Sequence, residues 1–416
     1  MTLWTSAEIA LAVDALYSDN FNVTGVSIDT RTIKPGELFV ALDGPNFNGH
    51  DFVEEAMLAG AAGIISTKKT YVPSIKVSNT FNALTNLAAA ARKRFKGEVI
   101  AITGSVGKTT TKEFTASAKE AYATKGNLNN HIGVPLTLAN IPLDAKAAVI
   151  EIGMNHFGEI GALSRLTRPT HAIITAIDWV HSENLDGTLA GVAKAKTEIL
   201  EGLTGPLYAP ISIKELIEPY LGQQLVHWIG TPYDGPMQLE GPEHRWNAAL
   251  ALATVKNDMA GAESRLARVK PTAGRGKQQS LMIDGKRIFL IDDSYNASPA
   301  SMRAALKNLA SHTCGRKIAI IGDMAELAHA KQHHQELGIF ISTLTIDLLM
   351  AIGHFHPEIV EQLPQSATSI GLPSAKDAFV TIRSQLQDGD TVLIKASNST
   401  GLSRVVRDLI AANDAL

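Results

Sequence analysis

The sequence predicts an α/β protein of three domains: a small α/β unit, a central parallel sheet and a C-terminal doubly wound sheet. Three observations carry this. The chain has 416 residues, too many for one ordinary core and enough for two to four domains of the usual size. The apolar run Val99-Ile100-Ala101-Ile102-Thr103 leads through a glycine-containing loop into a helical stretch, which makes a strand, loop and helix unit. Apolar runs then alternate with helical segments to the end of the chain, the order of a doubly wound sheet. The expected domains are 1–82, 83–271 and 272–416.

In the first, residues 38–42 read as a strand, 51–60 as a helix and 63–65 as a strand. A helix starts at Thr80 and ends in Arg92-Lys93-Arg94-Phe95-Lys96-Gly97. Cations before a glycine suit a helix C-terminus, and that reading is preferred to a nucleic-acid patch. In the second domain, residues 109–123 read as a helix, and 148–152 and 172–177 as buried parallel strands. Helices are expected over 188–203 and around 247–253. In the third, 288–291, 317–321, 348–352 and 391–394 read as strands whose ends carry polar clusters such as Asp292 to Asn296 and Lys395 to Asn398. Ligands of such sheets gather at the strand C-termini.

Composition narrows the function. With 45% hydrophobic and 19% charged residues and a net charge of −3, no general attraction to nucleic acid or to an acidic membrane follows, so any anion site is local. Cys314 is the single cysteine, which excludes an internal disulfide, and it is expected to be a small buried residue. Met1 to Ala10 lacks a basic stretch followed by an apolar one, and no run reaches the ~18 apolar residues of a membrane helix. A cytoplasmic protein without membrane insertion is expected.

Thr103-Gly104-Ser105-Val106-Gly107-Lys108-Thr109-Thr110 between strand and helix is a shortened Walker A pattern, with Ile102 where the strict motif has glycine. Its backbone N–H groups and helix N-terminus can face phosphate oxygens, Lys108 supplies charge, and Thr109 offers a hydroxyl to Mg²⁺. Glu151, at the end of the next strand, can reach a metal beside that loop. His181 follows another strand; a lone histidine is commonly structural, but the shared sheet edge favours the site. Lys194 and Lys196 lie about 200° apart around a helix, so one of them faces the site. Asn127, Asn129 and Asn130 stand in a turn-rich stretch and could simply shape a loop. Arg275 between glycines and Asp293 after a strand could hold phosphate and ribose, or pair structurally. His329, His333 and His334 near Asp323 and Glu326 invite a metal reading, but the spacing is loose and the histidines read as exposed loop and helix residues.

Taken together these residues resemble the Mur ligases, ATP-dependent amide ligases of peptidoglycan synthesis. Asp29-Thr30-Arg31, Lys34 to Ala41 and Asn48 to Phe52 look like the family's UDP-sugar-binding domain. Gly104 to Glu113, Asn127 to Leu138 and Asp292 to Asn296 with Pro299, Ser301 and Met302 are similar to the member that adds D-alanyl-D-alanine. The Asp-Asn-Pro-Arg tetrapeptide of the diaminopimelate-adding relative is absent from the sequence.

The resemblance implies a UDP-sugar domain, a P-loop ATPase-type middle domain and a Rossmann-like C-terminal domain. It also implies a site. Gly104, Ser105, Val106, Gly107, Lys108, Thr109, Thr110, Asn247, Arg275 and Asp293 would bind ATP; Thr109, Glu151 and His181 would bind two Mg²⁺ ions. Lys108, Glu151, His181 and Lys196 would be catalytic, with Lys196 at the family's carbamylated lysine and Lys194 the alternative register. Ser27, Arg31, Asn129, Asn130, Tyr295 and Asn296 would bind UDP-N-acetylmuramoyl-tripeptide and D-alanyl-D-alanine. A monomer is expected. Ala396 and Ser298 depart from the family's usual glycine and asparagine.

Overall fold

The computed structural model describes residues 1–44, 47–239, 241–376 and 378–413. Sheets of four, six and six strands succeed one another along it, beside a two-stranded ribbon at the N-terminus. In the first sheet the strands Val26–Ser27, Leu38–Val40, Gly63–Ser66 and Ser74–Lys76 are parallel neighbours in that order. Alternation decides its packing. Leu38 and Val40 join the core with Ile9, Leu84 and Leu87, while Phe39 between them packs with Ala56 and Ile64 on the other face. The expected helix over 51–60 is a 3₁₀ turn, Gly49–Phe52, followed by the α-helix Val53–Leu58.

The basic end of helix Thr80–Arg94 serves backbone carbonyls. Arg92 donates to Thr167 O at 2.6 Å and Arg168 O at 2.7 Å, and the Arg94 guanidinium lies 3.4 Å from the Trp4 ring centroid. A second bond set joins this domain to the next. Asn140 accepts from Val26 N and donates to Val26 O, both at 2.9 Å, and Leu136 and Ala139 enter the N-terminal core.

The middle sheet runs Val226–Ile229, Leu207–Pro210, His171–Ile174, Glu98–Thr103, Ala147–Glu151, Tyr122–Ala123, all parallel. Its central strands are buried on both faces, which is why they read as unbroken apolar runs. The helix expected over 109–123 stops at Lys119. Glu120 takes a left-handed backbone with φ 50°, and Tyr122–Ala123 becomes an edge strand.

The last sheet runs Lys277–Ile283, Lys286–Asp293, Thr391–Lys395, Lys317–Gly322, Leu348–Ile352, Ser369–Leu372, with only the first pair antiparallel. Helices cover both faces, one around Met302, Leu306 and Leu337 and the other around Ile382, Val405 and Leu409. Ser298, the departure noted above, caps helix Pro299–Ser311 through a capping box with Ser301.

Two expectations fail here. Cys314 is exposed, because it falls in the turn that follows the helix ending at Ser311. His333 and His334 are buried. His334 accepts from Met324 N at 3.0 Å and stacks on Phe355 with ring centroids 4.4 Å apart, so it is a satisfied core histidine, and its burial depended on packing that spacing does not reveal. Among the described residues, no helix is long and apolar enough to cross a membrane.

Candidate active site

Strand order brings the carboxyl ends of Glu98–Thr103, Ala147–Glu151 and His171–Ile174 side by side, and the loops after them form one wall of a cleft of about 830 Å³. In the first loop Gly104 and Gly107 have φ of +148° and +83°. A Cβ on Gly107 would lie 2.5 Å from Asn247 Oδ1, and one on Gly104 would run into Thr175 Oγ1. Only glycine fits either place. Ser105 Oγ ties the loop down, donating to Asp178 O at 3.0 Å and accepting from Asp178 N at 2.9 Å. Helix Lys108–Lys119 then begins with no side-chain cap, so its first N–H groups face the cleft as an anion site would need.

Lys108 curls back onto Gly104 O at 2.6 Å and Ser105 O at 3.2 Å. Burial pushes its ammonium down to about 8, against the Glu151 carboxylate, which favours the charge. Thr109 Oγ1 donates to Glu151 Oε2 at 3.0 Å, and Asn129 Nδ2 donates to Glu151 Oε1 at 2.8 Å. Asn129 is thereby placed on the carboxylate. Asn130, beside it, accepts from Ile132 N and Gly133 N, a turn-shaping role for its oxygen even though it lines the cleft.

The two lysines of helix Leu189–Thr197 separate as the 200° rule requires. Lys194 is exposed, 5.3 Å from the Phe157 ring centroid. Lys196 is 0% exposed, and its Nζ has no hydrogen-bond partner among the described residues. Burial, and then the charge of Lys108, hold that amine well below the usual lysine range.

The opposite wall comes from the last sheet. Asp293 and Lys395 are Cα partners at adjacent strand ends, and Lys395 Nζ reaches Asp293 Oδ2 at 2.7 Å and Asn296 O at 2.9 Å. The Arg275 guanidinium stacks 4.0 Å from the Tyr295 ring centroid. Asn247, Arg275, Asp293, Tyr295, Asn296 and Lys395 all line the cleft with the loop 105–110, Asn129, Glu151 and His181.

Ser27 and Arg31 do not. Ser27 ends a strand of the N-terminal sheet, and Arg31 lies in the turn beyond it, its side chain 84% exposed and paired with Asp29 at 2.6 Å. Sequence reasoning also left Lys395, His156 and Glu159, which line the cleft, out of the site. Lys395 had a signal, a strand-end position inside a polar cluster.

Comparison with known proteins matches this arrangement. Three family models cover residues 22–101 (Mur ligase family, catalytic domain), 102–225 (Mur ligase middle domain) and 281–398 (Mur ligase, glutamate ligase domain). The chain is 33% identical to the UDP-N-acetylmuramoyl-tripeptide--D-alanyl-D-alanine ligase of Bacillus subtilis, over 93% of both chains. It is 33% identical to the Escherichia coli enzyme of that name, over 95% of both. The crystal structure of MurF from Acinetobacter baumannii superposes with a TM-score of 0.82 at 26% identity, covering 98% of this chain and 99% of that one.

Proposed function

The chain belongs to the Mur ligase family, and from that premise we propose that it joins D-alanyl-D-alanine to UDP-N-acetylmuramoyl-tripeptide at the expense of ATP. One observation carries the reading. The strand ends of two separate sheets open on a single cleft that has a phosphate loop on one wall and a cluster of Arg275, Asp293 and Lys395 on the other.

The terminal carboxylate of the tripeptide attacks the γ-phosphorus of ATP, giving an acyl phosphate and ADP. The dipeptide amine then attacks the acyl carbon, loses a proton, and phosphate leaves. In the first step two anions meet, so positive charge must be placed between them. Lys108 does this by leaving the loop carbonyls for the phosphates, and the uncapped helix N-terminus adds its amides. Asn247, Arg275 and Asp293 hold the nucleoside across the cleft; Tyr295, Asn296, Asn129 and Asn130 line the path of the peptides, and Ser27 and Arg31 take the UDP-sugar on the first domain. We place the second domain boundary at 271/272; the first, expected at 82/83, falls inside helix Thr80–Arg94, whose Leu84 and Leu87 pack in the N-terminal core, so we place it after that helix.

Magnesium suits these residues. The Thr109 hydroxyl and Glu151 carboxylate are hard oxygen donors 3.0 Å apart beside the loop. No group of three or more His, Cys, Asp or Glu among the described residues could hold an ion alone, so the ions would share the substrate's phosphates, as Mg²⁺ commonly does. Thr109 and Glu151 would hold one ion and His181 the second, and Mg²⁺ there would neutralise the γ-phosphate. We place the enzyme in the cytoplasm as a monomer.

Phosphate release from ATP and UDP-N-acetylmuramoyl-tripeptide is expected to require D-alanyl-D-alanine. Equal release with single amino acids would sink the dipeptide assignment. A second expectation concerns pH. With Lys108 near 8 in the free protein, the cation that meets the triphosphate is present below that pH and lost above it. ATP affinity should therefore be flat up to pH 8 and then fall by up to about tenfold per unit. Calorimetric titrations at pH 7, 8 and 9 that show no fall would contradict it.

A further inference from the structure

One pair at the edge of the cleft joins two domains. His181, beyond the middle-sheet strand His171–Ile174, makes an ion pair through Nδ1 with Glu326 Oε2, beyond the last-sheet strand Lys317–Gly322. Both residues have left-handed backbones, with φ of 64° and 60°. That conformation is disfavoured for residues with side chains, and it persists where surrounding structure enforces it, commonly at functional sites. Bonds between the two domains flank both residues. Ser182 Oγ accepts from Ala328 N at 3.0 Å, and Asp178 Oδ2 accepts from Ala300 N at 3.2 Å, so each residue's loop is fastened to the opposite domain. The pair itself is a poor reason for the strain. The Glu326 side chain is 44% exposed, and ion pairs open to water contribute little to stability.

We infer that Glu326 is a positioning residue for the metal site. With its carboxylate against Nδ1, Glu326 would hold the proton on that nitrogen and leave the Nε2 lone pair for an ion in the cleft that His181 lines. A carboxylate behind a ligating histidine also raises the basicity of the ligand nitrogen. Because Glu326 belongs to the last domain, the imidazole is aimed only while that domain is docked on the middle one. The second ion site is then complete only in the arrangement that brings the nucleotide and the dipeptide sites together, which protects the acyl phosphate from forming in an open cleft. The inference rests on the reading of His181 as a metal ligand.

The test uses Mn²⁺ as a paramagnetic probe, titrated into the full-length protein with a non-hydrolysable ATP analogue. Glu326→Ala is expected to weaken Mn²⁺ binding about 10- to 100-fold. Glu326→Gln, whose amide oxygen can still accept from Nδ1, should fall between Glu326→Ala and the wild type. Analogue binding without metal should not change, and in turnover the Mg²⁺ half-saturation should rise while KM for D-alanyl-D-alanine stays constant. If His181→Ala weakens Mn²⁺ binding but Glu326→Ala does not, the pair is only a domain contact and the inference fails with the ligand reading intact. If His181→Ala binds Mn²⁺ as the wild type does, the ligand reading is wrong and the inference falls with it.

Discussion

Lys108→Ala is expected to lower kcat by about a thousandfold or more, equivalent to about 4 kcal/mol of transition-state stabilisation. The phosphoryl group in transfer spreads negative charge over its oxygens, and little else in the phosphate loop can answer it with a full positive charge. Fold should survive the change. Among the described residues the lysine's hydrogen bonds are to two loop carbonyls, Gly104 O and Ser105 O, and burial already disfavours its charge in the free protein. Single-turnover acyl transfer and thermal unfolding measure the two quantities separately. Ligation within tenfold of the wild type would mean that the loop does not handle the γ-phosphate.

Lys196→Ala should cost about 10²- to 10³-fold in kcat, a loss typical of removing one preorganised electrostatic group, whereas Lys194→Ala should stay within about twofold of wild type. The contrast follows from position. A buried lysine without a partner cannot remain an ammonium ion cheaply, and burial with the Lys108 charge holds Lys196 toward the neutral amine. A neutral amine adds to carbon dioxide: the nitrogen lone pair forms the N–C bond, one proton is released, and a carbamate anion results. The same Lys108 charge that opposes the ammonium then favours the carbamate. A group able to orient metal and acyl phosphate would thus be made from a residue unsuited to its site in either charge state of an ordinary lysine. Carbon-13-labelled bicarbonate should give a carbamate signal in the wild type and in Lys194→Ala, and none in Lys196→Ala. Equal losses of activity from the two substitutions would refute the assignment.

Much of the fold is written locally. Strands such as Glu98–Thr103 and Ala147–Glu151 are buried on both faces and so read as apolar runs, and the phosphate loop announces itself because its glycines, lysine and helix start are contiguous. Errors gathered where the signal is not local. The helix expected to reach residue 123 ends at Lys119, because a left-handed Glu120 and edge pairing to Ala147–Glu151 redirect the chain. Cys314 is exposed and His334 is buried, each against expectation, since neither type carries its environment in its spacing. Ser27 and Arg31, which the resemblance assigns to the UDP-sugar, lie on the first domain and do not line the cleft.

The sequence by itself determined the three-sheet α/β architecture, the phosphate loop and the family, because these depend on short contiguous patterns. Tertiary structure decided that Lys196 and not Lys194 is buried, that Asn129 rests on Glu151, that Lys395 pairs with Asp293, and that Glu326 meets His181. The physical reason is range. Each of these contacts forms between strand ends, helix faces or domains far apart in the chain, and charge and hydrogen-bond geometry act only after packing has brought the groups within a few ångströms of one another.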